Sequence, residues 1–428
     1  MRLKFNKTQK AWSFYDWANS VYSLVIGTVI FPIYYESITE AAGKETLIFL
    51  GFSFHNTELY SYTISLSFLI IALISPYLAA LADSSGRKKD FMRIFVYIGS
   101  LACISLLLFT EDRIWIGLLG ALFASLGFTG SLVFYNAFLP EIAEPSQQDR
   151  LSARGFALGY LGSSLLLIFN LLMIEKPEWF GISDAGTGSR ISFFIVGLWW
   201  LGFSYYVFKH LPNGTKKETN GENNFLSKGY KNLRIVWDEF KGIPRLRRFL
   251  YAFFWYSTGV QTVVLLAALF GSKVLNLKSD QLIISILIIQ FVAIAGALLF
   301  SRLSEKIGNI KALGIAVFIW IGVCIAAFLI DSANQFYMVG ALVGLVLGGI
   351  QSLSRSTFSK MLPETKDHAT YFSFFDVTEK VATMAGMLGM GLIESITGDL
   401  RNAALVLMTF FILGFIQLLR VPKSKHVY

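Results

Sequence analysis

Charge is what this 428-residue chain lacks most: 15% of its residues are Asp, Glu, Lys or Arg, against 54% hydrophobic, and mean hydropathy is +0.57. Ordinary soluble domains carry about 25% charged residues, so a water-facing surface wrapped around one core is excluded. Cysteine is confined to Cys103 and Cys324, both inside apolar runs, which excludes a disulfide scaffold. The histidines, His55, His210, His368 and His426, have no metal-like spacing with Cys, Asp or Glu. "GYLGSS" lacks the Gly-Lys-Ser/Thr element of a phosphate-cradling loop, so nucleotide hydrolysis is not the expected energy source. With no nucleophile–base set either, the chain is not expected to be an enzyme, and neither cofactor nor metal is expected.

What is abundant is bulk: 39 Phe, 18 Tyr and 9 Trp. A membrane-crossing helix needs roughly 20 mainly apolar residues. Such runs occupy 17–37, 60–81, 93–110, 114–138, 155–174 and 191–208, then 249–271, 281–301, 312–330, 336–358, 371–393 and 402–420. The first, entered through "FYDWANSVYSLVI" (14–26), is followed by Pro32-Ile33-Tyr34-Tyr35 and no small-residue cleavage site, so it reads as a span and not a leader. Between the sixth and seventh runs lies one long polar connection, 209–248. The expected fold is therefore an all-α polytopic membrane protein of twelve transmembrane helices in two six-helix bundles, 1–208 and 249–428, joined by a linker.

The net charge of +9 invites a nucleic-acid reading, which its placement excludes. With the N-terminus cytoplasmic, 29 Lys and Arg fall on that side or at its helix ends and 7 on the other, among them Lys44, Lys176 and Arg401. This is the asymmetry expected of topology anchors beside an anionic leaflet. Both termini and the linker are expected in the cytoplasm.

Two loops disclose a repeat. "LADSSGRKK" (81–89) and "LSEKIGNIK" (303–311) place Asp83 opposite Glu305 and Gly86 opposite Gly308 at an offset of 222, and "LPE" recurs at 139–141 and 362–364. Parallel six-helix repeats related by an axis along the membrane normal leave a cavity between the halves, so the bundles are expected to be pseudo-symmetric.

Polar residues inside the spans are costly and mark functional positions. Asp16, Asn19, Ser20, Ser23 and Gly27 form a stripe on the first span. For Asp16 the competing reading is an N-terminal helix cap. The eleventh span holds Asp376, Glu379 and Lys380, with Lys380 four residues from Asp376 and able to pair with it. Glu379 is the preferred protonatable group, with Lys380 modulating it or binding an anionic substrate group; a purely structural charge network is the alternative. On the tenth span Gln351, Arg355 and Ser359 recur every fourth residue, Arg355 serving either a substrate carboxylate or a gate salt bridge. Ser125, Thr129 and Asn136 are weaker relatives on the fourth. Gln261 and Gln290 either face the cavity or bond between helices.

These residues carry a family likeness. "LADSSGRKK" resembles the loop signature of the major facilitator superfamily: Asp83, Gly86, Arg87 and Lys88 match, while Ala80 replaces its first glycine. "YDWANSVY" (15–22), "YNAFLPEIA" (135–143), "RLSARGFALGYLGS" (150–163), "QSLSRSTFSKMLPE" (351–364) and "FSFFDVTEKVA" (372–382) resemble the bacterial branch of the vacuole-effluxer-like transporters, beside the fungal vacuolar amino-acid exporters. The resemblance implies a monomeric rocker-switch carrier in the bacterial inner membrane, with Asp83, Gly86, Arg87 and Lys88 as a gating loop. The fifth span has no proline, a departure from the antiporter signature of the superfamily. The function expected is secondary active transport of a small polar metabolite, such as an amino acid or short peptide, with protons and membrane lipids as its other partners. A lipid flippase and a non-transporting receptor are the alternatives.

Overall fold

Asn6 starts the first helix: its side chain accepts from the Gln9 backbone N–H (2.8 Å), and the Gln9 side chain accepts from the Asn6 N–H (3.0 Å). Asp16 therefore lies well inside the helix, and the capping alternative falls. The computed structural model describes residues 4–41, 43, 46–49, 52–214, 225–397 and 400–423. Lys44 and the centre of the linker, 215–224, lie outside the described residues.

The first span, α1, runs through Lys7–Val21, a wider π-helical stretch Tyr22–Ile30, and Phe31–Ala41. Thr28 donates its hydroxyl back to the Ser23 carbonyl, 2.9 Å away, a reach that the wider winding brings into range. The following spans are α2 (Asn56–Ser85), α3 (Lys88–Ser105), α4 (Ile114–Ala137), α5 (Pro145–Glu175) and α6 (Ala185–His210). After the linker come α7 (Pro244–Leu275), α8 (Ser279–Ile307), α9 (Asn309–Leu329), α10 (Ala333–Met361), α11 (His368–Thr397) and α12 (Leu400–Leu419).

Among the described residues, 11 helices are long and apolar enough to cross a membrane by length and composition. The twelfth span is α11, 30 residues long, whose Asp376, Glu379 and Lys380 crowd three charges into one turn. The repeat is visible in the backbone: Gly86 and Gly308 turn the chain between α2 and α3 and between α8 and α9, with φ of 67° and 87°.

In the first bundle α1 packs on α5 and α6, and α4 on α2 and α3; in the second α12 packs on α7 and α9, and α10 on α8 and α9. The bundles meet where α5 crosses α8 and α10 and where α11 crosses α2 and α4. Within the second bundle, small residues set the spacing of α8 and α10. A Cβ on Gly296 of α8 would strike the Leu345 backbone, and one on Gly348 of α10 the Ala293 backbone.

Two elements depart from the sequence reading. A short antiparallel hairpin, β1 (Thr46–Phe49) and β2 (Phe52–His55), joins α1 to α2 with Thr46 opposite His55. The polar linker contains a helix, Phe225–Lys241. Gly229, Leu233, Val236 and Phe240 form its inner stripe. Gly229 lies against Tyr77 and Leu81 of α2, while Trp237 and Phe240 pack on Phe374 of α11. Asn232 donates to Asp367 (2.9 Å), and the Tyr371 hydroxyl donates to Glu239 (3.2 Å). The linker helix thus touches both bundles on one face of the protein, the linker face.

Candidate functional site

Three polar groupings occupy the bundle interface. At its centre the buried Asp16 carboxylate accepts from the Tyr135 hydroxyl (2.8 Å) and from the Arg355 guanidinium (3.1 Å). Arg355, buried on α10, also donates to the Ser152 hydroxyl and carbonyl (2.9 Å each) and to Asn136 (3.5 Å). Its guanidinium carbon lies 4.2 Å from the ring centroid of Phe156, 4.8 Å from Trp12 and 5.3 Å from Tyr135. Of the two sequence readings for Arg355, the geometry here is that of an inter-bundle salt bridge. Nearby, the Tyr160 hydroxyl of α5 donates to Gln351 of α10, a second bond between bundles.

At the linker face two clusters sit at repeat-related positions. In the first, buried Asp83 accepts the backbone N–H groups of Ala369 (3.2 Å) and Thr370 (2.8 Å) and the Thr370 hydroxyl (2.8 Å). It thereby caps the start of α11, where free N–H groups and the helix dipole favour an anion. Lys88 stands 3.6 Å from Asp83 and is paired with Glu141, which His368 also contacts (2.9 Å). Gly86 supplies the turn; Arg87 points outward to Asp90 (3.1 Å). In the second cluster Glu305 pairs with Arg150, and Asp149 accepts from Ser304 (2.8 Å), Asn309 (2.8 Å) and Lys360 (2.6 Å).

The third grouping is on α11, where Lys380 stands 3.6 Å from Asp376 and 3.4 Å from Glu379. Gln261 of α7 donates to Glu379 (2.6 Å), and Lys380 lies 5.7 Å from the ring centroid of Phe68 on α2. The environments of the two acids differ. The Asp376 side chain is 5% exposed and its Oδ2 accepts no hydrogen bond among the described residues, whereas the Glu379 side chain is 25% exposed. Glu379 lies about 16 Å along the axis from the start of α11, near the middle of a hydrocarbon core about 30 Å thick.

The stripe on α1 follows the same gradient. Asp16 and Asn19 are buried, Ser20 is half-buried, and Ser23 and Gly27 are exposed. The bundle interface is closed towards the linker face, and the stripe becomes accessible away from it. Among the described residues, Asn19 Nδ2 is buried without a hydrogen-bond partner. Gln290 is partly exposed on α8, and the structure does not bring it into these groupings.

Sequence reasoning singled out Asp16, Arg355 and Asp83 but missed Trp12, Tyr135, Ser152 and Phe156, which surround the Arg355 guanidinium. The signal was within reach: Tyr135, Ser152 and Phe156 all stand inside the segments that carry the family resemblance. Asp149, Asn309 and Lys360 were masked by their position at helix ends, where a charge ordinarily serves topology.

The family model described as "Vacuole effluxer Atg22 like" matches residues 5–427. The chain is 32% identical over 430 residues to the uncharacterized MFS-type transporter YxiO of Bacillus subtilis (strain 168), covering 99% of this chain and 97% of that one. It is 24% identical over 470 residues to autophagy-related protein 22 of Yarrowia lipolytica, covering 88% and 78% respectively. Among solved structures, that of the human organic anion transporter MFSD10 superposes with a TM-score of 0.72 at 11% identity, covering 96% of this chain and 99% of that chain.

Proposed function

Because the chain belongs to the vacuole-effluxer Atg22-like family of major facilitator transporters, we propose that it is a proton-coupled secondary carrier of a small polar metabolite, an amino acid or short peptide. The observation that carries this reading is the α11 grouping: two carboxylates and an ammonium near mid-membrane, one carboxylate partly accessible while the linker face is closed. A zwitterion presents one charge of each sign, which is what Lys380 and Glu379 are suited to meet. The two bundles, 1–208 and 249–428 with the linker 209–248 between them, rock about the interface so that the central groups face each side in turn.

The counterflow experiment tests the carrier reading. Proteoliposomes preloaded with unlabelled amino acids or short peptides should take up the same labelled compound faster than empty ones, for at least one member of the panel. Uniform failure across the panel, with correctly inserted protein, would reject that substrate class.

The 29 to 7 distribution of Lys and Arg supports a cytoplasmic linker and cytoplasmic termini in the bacterial inner membrane. A cysteine at Ser183, on the loop before α6, should react with an impermeant thiol reagent in intact cells, and a cysteine at Asn220 should not. The reverse pattern would overturn the orientation. Cys103 and Cys324 are buried and give little background.

A further inference from the structure

The groups that hold Arg355 all belong to the opposite bundle: Trp12 and Asp16 on α1, Tyr135 and Asn136 on α4, Ser152 and Phe156 on α5. Together they make a box with aromatic walls, a carboxylate and further acceptors, each placed against a guanidinium. The walls do not depend on their occupant. Trp12 Nε1 donates to the Tyr135 carbonyl (2.8 Å), and the two rings stack with centroids 4.6 Å apart. The Tyr135 hydroxyl is tied to Asp16, and Tyr15, which packs on Tyr135, is tied to Ser131 (2.7 Å). Gly155 leaves the remaining space, since a Cβ there would run into both the Asp16 carboxylate and the Arg355 guanidinium.

Opening at the linker face must carry α10, and Arg355 with it, away from α1, α4 and α5. The box stays behind in its own bundle with a carboxylate that has lost its cation. A carboxylate in apolar surroundings without a partner is unfavourable, and aromatic faces beside it attract a cation. We propose that this box is a binding subsite for the guanidinium or ammonium group of the transported molecule, and that Arg355 is a tethered stand-in that occupies it while the linker face is closed. The inference rests on the alternating-access reading above. It adds organic cations to the substrate class, and a competition: a cation entering from the linker side holds the bundles apart, and its departure lets Arg355 return.

The test separates binding from transport by using detergent-purified full-length protein without a gradient. In Arg355→Ala, methylguanidinium should raise the melting temperature by several degrees over sodium chloride at equal ionic strength. The same salt should do nothing in Arg355→Ala combined with Asp16→Asn. Wild-type protein should bind radiolabelled agmatine saturably, and Trp12→Ala should weaken that binding at least fivefold. Absence of the methylguanidinium effect, or its persistence without the Asp16 carboxylate, overturns the proposal. Rescue of Arg355→Ala with no saturable agmatine binding to wild type also overturns it, leaving the box as a lock only. Counterflow of an amino acid or short peptide would survive either failure, so the carrier reading stands or falls separately.

Discussion

Glu379→Gln should abolish substrate accumulation driven by a pH gradient while counterflow survives at least in part. The amide keeps an oxygen to accept from Gln261 and nearly the same volume, so the packing between α7 and α11 is retained. What it loses is the ability to take up and release a proton. Glu379 is singled out over Asp376 because a proton must reach its site from the open side: Glu379 is 25% exposed there and Asp376 only 5%. Counterflow exchanges substrate without net energy input, so it requires the conformational cycle but not the gradient. Uptake assays in one preparation, with and without an imposed pH difference, measure both. If the charges merely hold the helices together, both activities should fall equally or the protein should misfold. A well-folded Glu379→Gln that still concentrates substrate under a proton gradient rejects the assignment.

Asp16→Asn is expected to shift the resting protein towards opening at the linker face. Removing one partner of a buried ion pair costs roughly 3–5 kcal/mol, because the remaining charge stays buried and unpaired. Arg355 is that remaining charge, and its contact with Asp16 joins the two bundles, so the penalty falls on the closed state. Since about 1.4 kcal/mol is a factor of ten, the closed-to-open ratio should fall by roughly a hundredfold even at the low end of that range. Spin labels at Arg87 and Lys306, exposed on the linker face of different bundles, read the change. In Asp16→Asn the distance distribution should move to longer values. An unchanged distribution in folded protein would mean that the central ion pair does not govern closure.

The sequence was most legible where a physical requirement is local. Span length follows from bilayer thickness, and each of the twelve apolar runs coincides with a helix, four of them, 93–110, 114–138, 312–330 and 402–420, overrunning its C-terminal end. The matched loops put glycine at two positions where the backbone needs positive φ. Asp83 was legible as part of a gating loop from the match to the loop signature, and the structure adds its partners, the N–H groups at the start of α11. Partners across the bundles were not legible. Asp16 and Arg355 are 339 residues apart, and helical spacing tells that each has a polar face but not which helix stands opposite. The linker helix was hidden by composition: charged residues outnumber the four positions of its inner stripe, so the segment reads as solvent-exposed. The hairpin was hidden because each strand spans only four residues.

The two linker-face clusters have a consequence for how such a molecule arises and fails. A dimer of identical six-helix units, related by a two-fold axis, makes every interface contact twice, since each surface meets its own copy. The loop between α2 and α3 reaching α11, and the loop between α8 and α9 reaching α5, are those duplicated contacts within one chain. Fusion frees each copy to change alone. One has become an acid capping backbone N–H groups beside the Lys88, Glu141 and His368 contacts, the other a set of side-chain pairs alone around Asp149 and Glu305. Two unlike fasteners now close one seam. A change of ionic strength therefore acts on them unequally, and the molecule can loosen at one edge before the other instead of parting along its whole width at once.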